Sequence, residues 1–230
     1  MPLFTKDKSI LFVHIPKCAG SSIIENFRND NWNVEFLNEP AKNNVPDILP
    51  CNPQHYHQDL LEEYVLKNNK IDLEFTIVRN PFHRLISEMM WRIPMHSHRV
   101  DTEGFTKTFF DALENFLISR SRDHFIIEQD FKNNRQNYIE RKQMLYYDNH
   151  IRPQKEFIGE DTKIFKLEEI ESINIFLKDL NIKDLLKVNS SSNKSKPLNY
   201  DGFSNGFKDE YLKIYGDDHK LFEYPLPFEK

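Results

Sequence analysis

Residues 12–22 read Phe-Val-His-Ile-Pro-Lys-Cys-Ala-Gly-Ser-Ser, an order of side chains suited to holding a phosphate. The apolar run Ile10 to Val13 predicts a buried strand, Pro16 and Gly20 break it, and a helical pattern begins near Ile23. A strand that turns sharply into a helix presents free backbone N–H groups and the positive end of the helix dipole to an anion. Lys17 adds a mobile positive charge, and Ser21 and Ser22 add hydroxyl donors. Because the lysine precedes the glycine, this is not a Walker-type phosphate loop.

A second segment, residues 74–91, repeats the plan. Phe75 to Val78 predicts another buried strand, Asn80 suits a helix N-cap and Pro81 the first helical position. Arg79 stands at that junction, and Arg84 and Ser87 are three apart on one helical face. Arginine offers a planar fork of donors matched to phosphate oxygens, although Arg79 and Arg84 would also serve as structural ion-pair partners. Between the two segments lies Gln54-His-Tyr-His57. In an extended stretch residues i and i+2 point the same way, so both imidazoles are expected to face one cleft, where a neutral histidine accepts a proton near pH 7. The blander reading is a surface or capping pair at the start of the next helix. His14 at a strand end reads as a core histidine, and Glu88 as either an acceptor-side base or a solvated helical glutamate. His96 and His98 form a second such pair, but no Asp, Glu or Cys at ligand spacing accompanies them to suggest a metal. Lys194 and Lys196 lie in a polar loop that would either close over phosphates or act as a plain linker.

Taken together, the two phosphate segments resemble the nucleotide-binding motifs of sulfotransferases that use 3′-phosphoadenosine-5′-phosphosulfate (PAPS). The likeness is to the family of the Golgi carbohydrate sulfotransferases (sulfotransferase family 2) and their bacterial relatives. Its first motif, HIPKTAGTS, is similar to His14-Ile-Pro-Lys-Cys-Ala-Gly-Ser-Ser22. Its second, VRNPxxRxxS, is similar to Val78-Arg-Asn-Pro-Phe-His-Arg-Leu-Ile-Ser87. His150-Ile-Arg-Pro-Gln154 and the near-terminal Tyr215 to Tyr224 also resemble family segments. Two positions depart: Cys18 stands where threonine is usual and is a poorer donor, and Ser21 replaces a second threonine while keeping the hydroxyl. The resemblance implies a P-loop-like sulfotransferase fold, PAPS as co-substrate and no metal. Lys17, Cys18, Ala19, Gly20, Ser21 and Ser22 would hold the 5′-phosphosulfate, with Lys17 neutralising charge on the bridging oxygen; Arg79 and Ser87 would grip the 3′-phosphate. The base would be His55 or His57, by likeness to the His-x-His element of uronyl 2-O-sulfotransferases. His150, Arg152 and Gln154 would line the acceptor site. The acceptor would be a hydroxyl compound, a saccharide or glycolipid. Two other readings are a nucleotide kinase-like phosphotransferase, which predicts ATP and Mg²⁺, and a non-catalytic module that retains the nucleotide site.

The elements that must position these residues follow from periodicity. Strands are expected at 10–14, 34–37, 75–78 and 163–167. Helices are expected after Gly20, over 60–66, 82–92, 106–120, 168–180 and 207–222, with a charged, partly helical stretch at 121–145 and loops at 38–53 and 189–199. Strands alternating with helices predict an α/β, mainly parallel sheet flanked by helices, with ligands beyond the carboxyl ends of the strands. The 230 residues, 39% hydrophobic, suffice for one domain spanning 1–230, with 93–150 as an acceptor-side insertion. A net charge of −5 argues against a general nucleic-acid binder. No apolar run approaches the roughly 20 residues of a membrane span. With two cysteines, no disulfide framework and no signal-peptide pattern, a cytoplasmic protein is the simplest reading.

Overall fold

The computed structural model describes residues 3–4, 9–29, 35–36, 51–92, 107–141, 147–182, 184–185 and 202–228. The expected loops at 38–50 and 189–199, His96, His98, Lys194 and Lys196 lie outside them.

Five strands form one sheet in the order β3-β1-β2-β4-β5. They are β1 (Leu3–Phe4), β2 (Ile10–Val13), β3 (Glu35–Phe36), β4 (Leu73–Val78) and β5 (Lys163–Lys166). β2, β4 and β5 run parallel, with Phe12 opposite Phe75 and Val78 opposite Lys166. The short β1 pairs antiparallel with both β2 and β3, a strand too brief to leave a period in the sequence. The α/β, mainly parallel expectation therefore holds for the strands that carry the two phosphate motifs.

Alternation along β2 and β4 divides the interior in two. Phe12, Phe75 and Ile77 face a cluster completed by Ile23, Ile24 and Phe27 of α1 (Gly20–Asn29) and by Ile173, Phe176 and Leu177 of α6 (Ile170–Asp179). Leu11, Val13 and Val78 face the larger cluster. It is built from α2 (Gln58–Tyr64), α3 (Pro81–Arg92), α4 (Lys107–Asn133), α5 (Arg135–Glu140) and α7 (Asn205–Leu221). β2 thus buries both faces and is continuously apolar, while β4 buries Thr76 by donating its hydroxyl to Val13 O at 2.8 Å.

The helix expected over 106–120 continues to Asn133 without a break. Its buried stripe, Phe109, Leu113, Phe116, Leu117, Ser121, His124 and Ile127, keeps helical spacing, but Ser121 and His124 interrupt its hydrophobic character. Asn134 then caps α5 by accepting from the Asn137 N–H at 3.1 Å.

Candidate active site

Both phosphate motifs sit at the carboxyl ends of adjacent parallel strands. After β2 the chain turns through Lys17 (φ 68°) and Ala19 (φ 62°), two left-handed non-glycine residues within three positions. Such conformations are costly for L-residues and persist only where the surroundings enforce them. Here the enforcement comes from below: Arg84 Nε donates to Pro16 O at 2.9 Å, Arg79 Nη1 to Lys17 O at 3.5 Å, and Cys18 Sγ to Gln154 Oε1 at 3.3 Å. The turn leaves the backbone N–H groups of Lys17, Ala19, Gly20 and Ser21 without an acceptor among the described residues. Those four donors lie at the N-terminus of the ten-residue α1, where the dipole favours an anion. Gly20 is required by contact rather than by φ: a Cβ there would lie 2.0 Å from the His14 ring.

Cys18 is placed under the turn. Its thiol is used on Gln154, its N–H donates to Ile15 O at 3.3 Å, and burial pushes the thiol up to about 12, so it stays neutral. The cysteine that departs from the family motif is thus a strut of the turn. Ser21 and Ser22 are exposed and half-buried, and neither hydroxyl is hydrogen-bonded among the described residues.

The second junction separates two arginines that look alike in sequence. Asn80 caps α3, its Oδ1 accepting from the N–H of Phe82 (3.0 Å) and of His83 (3.2 Å). Arg79 is half-buried beside Lys17, and its own backbone is clamped by Gln154, which accepts from Arg79 N–H at 2.9 Å and donates to Arg79 O at 2.8 Å. Arg84 is 1% exposed and gives its donors to the carbonyls of Pro16, Arg152 (2.8 Å) and His150 (2.7 Å). It is the structural arginine, tying the phosphate turn to the 147–157 segment. Ser87 is half-buried on α3, and its hydroxyl has no partner among the described residues.

The 147–157 segment supplies what the sequence motifs lack. Tyr215 Oη donates to Ile151 O at 2.8 Å, and the buried Asp218 carboxylate accepts from the N–H groups of Gln154 (2.7 Å) and Lys155 (2.9 Å). Arg152 is fully buried against Glu128, Glu156 and Asn149, so it anchors this segment rather than lining a cleft. The segment delivers Asp148 and His150 to the strand ends. Asp148 Oδ2 accepts from His55 Nδ1 at 2.9 Å, and Asn52 donates to both its oxygens, from its main chain at 2.6 Å and its amide at 2.8 Å. Those bonds hold the Asp148 carboxyl below the usual range although burial alone would raise it. His150 donates from Nδ1 to Glu88 Oε2 at 2.7 Å, and Glu88 Oε1 accepts from Arg92 at 2.7 Å. Together these bonds hold the buried Glu88 ionised, against the pull of burial. One ring nitrogen of His55, one carboxylate oxygen of Asp148 and one ring nitrogen of His150 all lie within 4.8 Å of one another, close enough to ligate one metal ion.

The two imidazoles of the His-x-His element do not share a face. Pro53–His55 is a single 3₁₀ turn rather than extended chain, which rotates His55 and His57 apart. The His55 ring lies 5.2 Å from His14 and edge-on to His150 at 4.6 Å. Burial lowers it to about 4 against the opposing pull of Asp148, so it is neutral at pH 7, with Nδ1 protonated and Nε2 unpartnered among the described residues. His57 instead packs edge-on against Phe131 at 5.1 Å, accepts at Nδ1 from Asn149 at 3.4 Å, and buries Nε2 without a hydrogen bond. His14 is likewise held neutral by burial.

Aromatic contacts join the two halves. Lys17 Nζ lies 5.1 Å from the Trp91 ring, and Trp91 stacks on His150 at 5.3 Å and 14°. Burial pushes the Lys17 ammonium down while Glu88 opposes it and Arg79 and Arg92 add to it. Trp91 is 58% exposed, a large ring left open beside the lysine. Sequence reasoning passed over Asp148, Asn149 and Trp91. Only the proximity of Asp148 and Asn149 to the family-like His150 segment, and of Trp91 to the end of the second motif, hinted at them.

Compared with protein-family models, residues 3–225 match the sulfotransferase family. Searches among curated proteins and among solved structures give no match. The family match covers nearly the whole chain, both phosphate turns included, and this chain belongs to the sulfotransferase family.

Proposed function

We propose that the protein transfers the sulfuryl group of PAPS to a hydroxyl of a carbohydrate acceptor, with His55 as the general base. The observation that carries this reading is the closeness of two unlike sites, linked by the His14–His55 ring contact at 5.2 Å and by Trp91, which meets Lys17 and stacks on His150. A turn with four unpaired N–H groups and Lys17 stands on one side, and a neutral imidazole pinned by a buried aspartate on the other.

In this reaction the acceptor oxygen forms a bond to sulfur as the bond from sulfur to the bridging oxygen breaks. That electron pair goes to the 5′-phosphate of the leaving nucleotide, and the hydroxyl proton goes to His55 Nε2. The N–H groups of Lys17, Ala19, Gly20 and Ser21, with the Ser21 and Ser22 hydroxyls, bind the phosphosulfate, and the Lys17 ammonium meets the charge that grows on the leaving oxygen. Arg79 and Ser87 bind the 3′-phosphate. Asp148 fixes the His55 tautomer and stabilises the imidazolium as it forms, the division of labour of a His–Asp pair. His55 is favoured over His57 because its Nδ1 is oriented by a carboxylate and its Nε2 has no protein partner among the described residues, whereas His57 is walled in by Phe131. The carbohydrate acceptor rests on the likeness to the carbohydrate sulfotransferases, with Trp91, 58% exposed beside Lys17, as an aromatic surface at the site.

Both free cysteines are buried thiols, in keeping with a reducing, cytoplasmic setting. Among the described residues no helix is long and apolar enough to cross a membrane.

The test is calorimetric titration with 3′-phosphoadenosine-5′-phosphate beside ATP and AMP, repeated with Arg79→Ala. Binding that needs both the 3′-phosphate and Arg79 supports the reading. No binding by folded protein, or preference for ATP with Mg²⁺, overturns it.

A further inference from the structure

We propose that His55, Asp148 and His150 form a binding site for a divalent transition-metal ion of the zinc class, and that its occupancy switches the base off. The three residues are buried and come from two distant parts of the chain. Their placement supplies the reason. Glu88 accepts from His150 Nδ1, which leaves Nε2 as the ring nitrogen open to a metal ion. That atom meets Asp148 Oδ2 at 3.7 Å, too long for a hydrogen bond. Nε2 and Oδ2 thus stand across a gap in a buried site, at a separation that one ion shared between them would span.

The dimensions suit such an ion. Ligands about 2.0–2.1 Å from a tetrahedral zinc are roughly 3.3 Å apart. Asp148 Oδ2 lies 2.9 Å from His55 Nδ1 and 3.7 Å from His150 Nε2, on either side of that value. Two imidazoles with one carboxylate select zinc, copper or nickel over magnesium or calcium, and three protein ligands leave a position open. The surrounding groups are already those of a metal site. Glu88 orients His150 through its far nitrogen, and Asn52 orients the Asp148 carboxylate from its main chain and its amide. For Nδ1 of His55 to ligate, its proton moves from Nδ1 to Nε2. In that tautomer Nε2 has no lone pair. Metal occupancy and proton abstraction by His55 then exclude each other, a consequence that rests on the proposed function, whereas metal binding itself does not.

The experiment titrates Zn²⁺ into the full chain against a chromophoric chelator, with Co²⁺ as a spectroscopic probe and 3′-phosphoadenosine-5′-phosphate binding as a separate readout. We expect one ion per chain, a four- or five-coordinate cobalt spectrum, and affinity weakened about 10–100-fold in Glu88→Gln and at least tenfold in His150→Gln. Equal zinc affinity in wild type and folded His150→Gln overturns the proposal. So does an octahedral, aquo-like cobalt spectrum of the wild type, which needs no variant to fold. A wild type that binds the nucleotide but takes up no zinc overturns the metal site and leaves the sulfotransferase reading intact. Zinc uptake at His150 without nucleotide binding supports the metal site and counts against that reading.

Discussion

The phosphate turn at 15–22 and the histidine cluster around Asp148 are linked through His14 and Trp91 but are built by opposite means. The turn is local: contiguous residues, a strand before and a helix after, and main-chain N–H groups as its working donors. The cluster is assembled from Asn52, His55, Glu88, Asp148 and His150, held by hydrogen bonds between segments 62 to 96 residues apart in sequence. An anion is bound by backbone geometry that many sequences can supply. A proton is handled by a particular ring, tautomer and partner, and these must be fixed by contacts across the fold.

The sharpest way to break this comparison is His55→Ala beside His57→Ala. Loss of the base should lower PAPS turnover, measured with a saccharide acceptor drawn from a screened panel, by about 10²–10⁴-fold while nucleotide affinity stays. His57→Ala should instead lower the melting temperature; equal losses of turnover in both variants would refute the choice of His55. Next comes Lys17→Ala, expected to cost about 10²–10³-fold in turnover by removing charge from the leaving oxygen. Unchanged turnover there would mean that the phosphosulfate lies elsewhere.

The arginine pair sharpens the contrast on the structural side. Arg84→Ala strips donors from the buried carbonyls of Pro16, His150 and Arg152 and should destabilise the fold by about 3 kcal/mol or more in urea unfolding. Arg79→Ala should cost less than about 1 kcal/mol of stability, yet remove the preference for a 3′-phosphate. Comparable stability losses in the two would show that both are structural.

Two smaller effects concern pH. The acid limb of turnover should fall near pH 4, where His55 protonates. Asp148 raises that value, so Asp148→Asn should move the limb to lower pH while also slowing turnover. A shift to higher pH would exclude Asp148 as the partner. Stability should also fall on the acid side. His14, His55, His57 and His124 are all held below the ordinary 6.5 by burial, so between about pH 6.5 and 4 the unfolded chain binds more protons than the folded one. Stability gained from their neutrality is complete above 6.5 and is lost as the pH drops toward 4, readable as a declining melting temperature. A flat profile across that window would contradict the burial of these rings.

The sequence by itself determined the two strand–turn–helix units, the parallel pairing they imply and the placement of residues 17–22 and 79 at the carboxyl ends of adjacent strands. Those features follow from apolar runs, Pro, Gly and a cap residue, all acting within a few positions. It could not decide between Arg79 and Arg84, because side chains five residues apart differ only in what the fold packs around them. Nor could it separate His55 from His57. The i and i+2 rule holds for extended chain, and a 3₁₀ turn at 53–55 broke it. Asp148 as the partner of His55, and the Cys18 thiol as a strut under the turn, depended on the 147–157 segment being docked by Arg84, Tyr215 and Asp218. Local chemistry is written in neighbouring residues. Tautomers, buried pairs and free nitrogens are decided only when distant segments close around them.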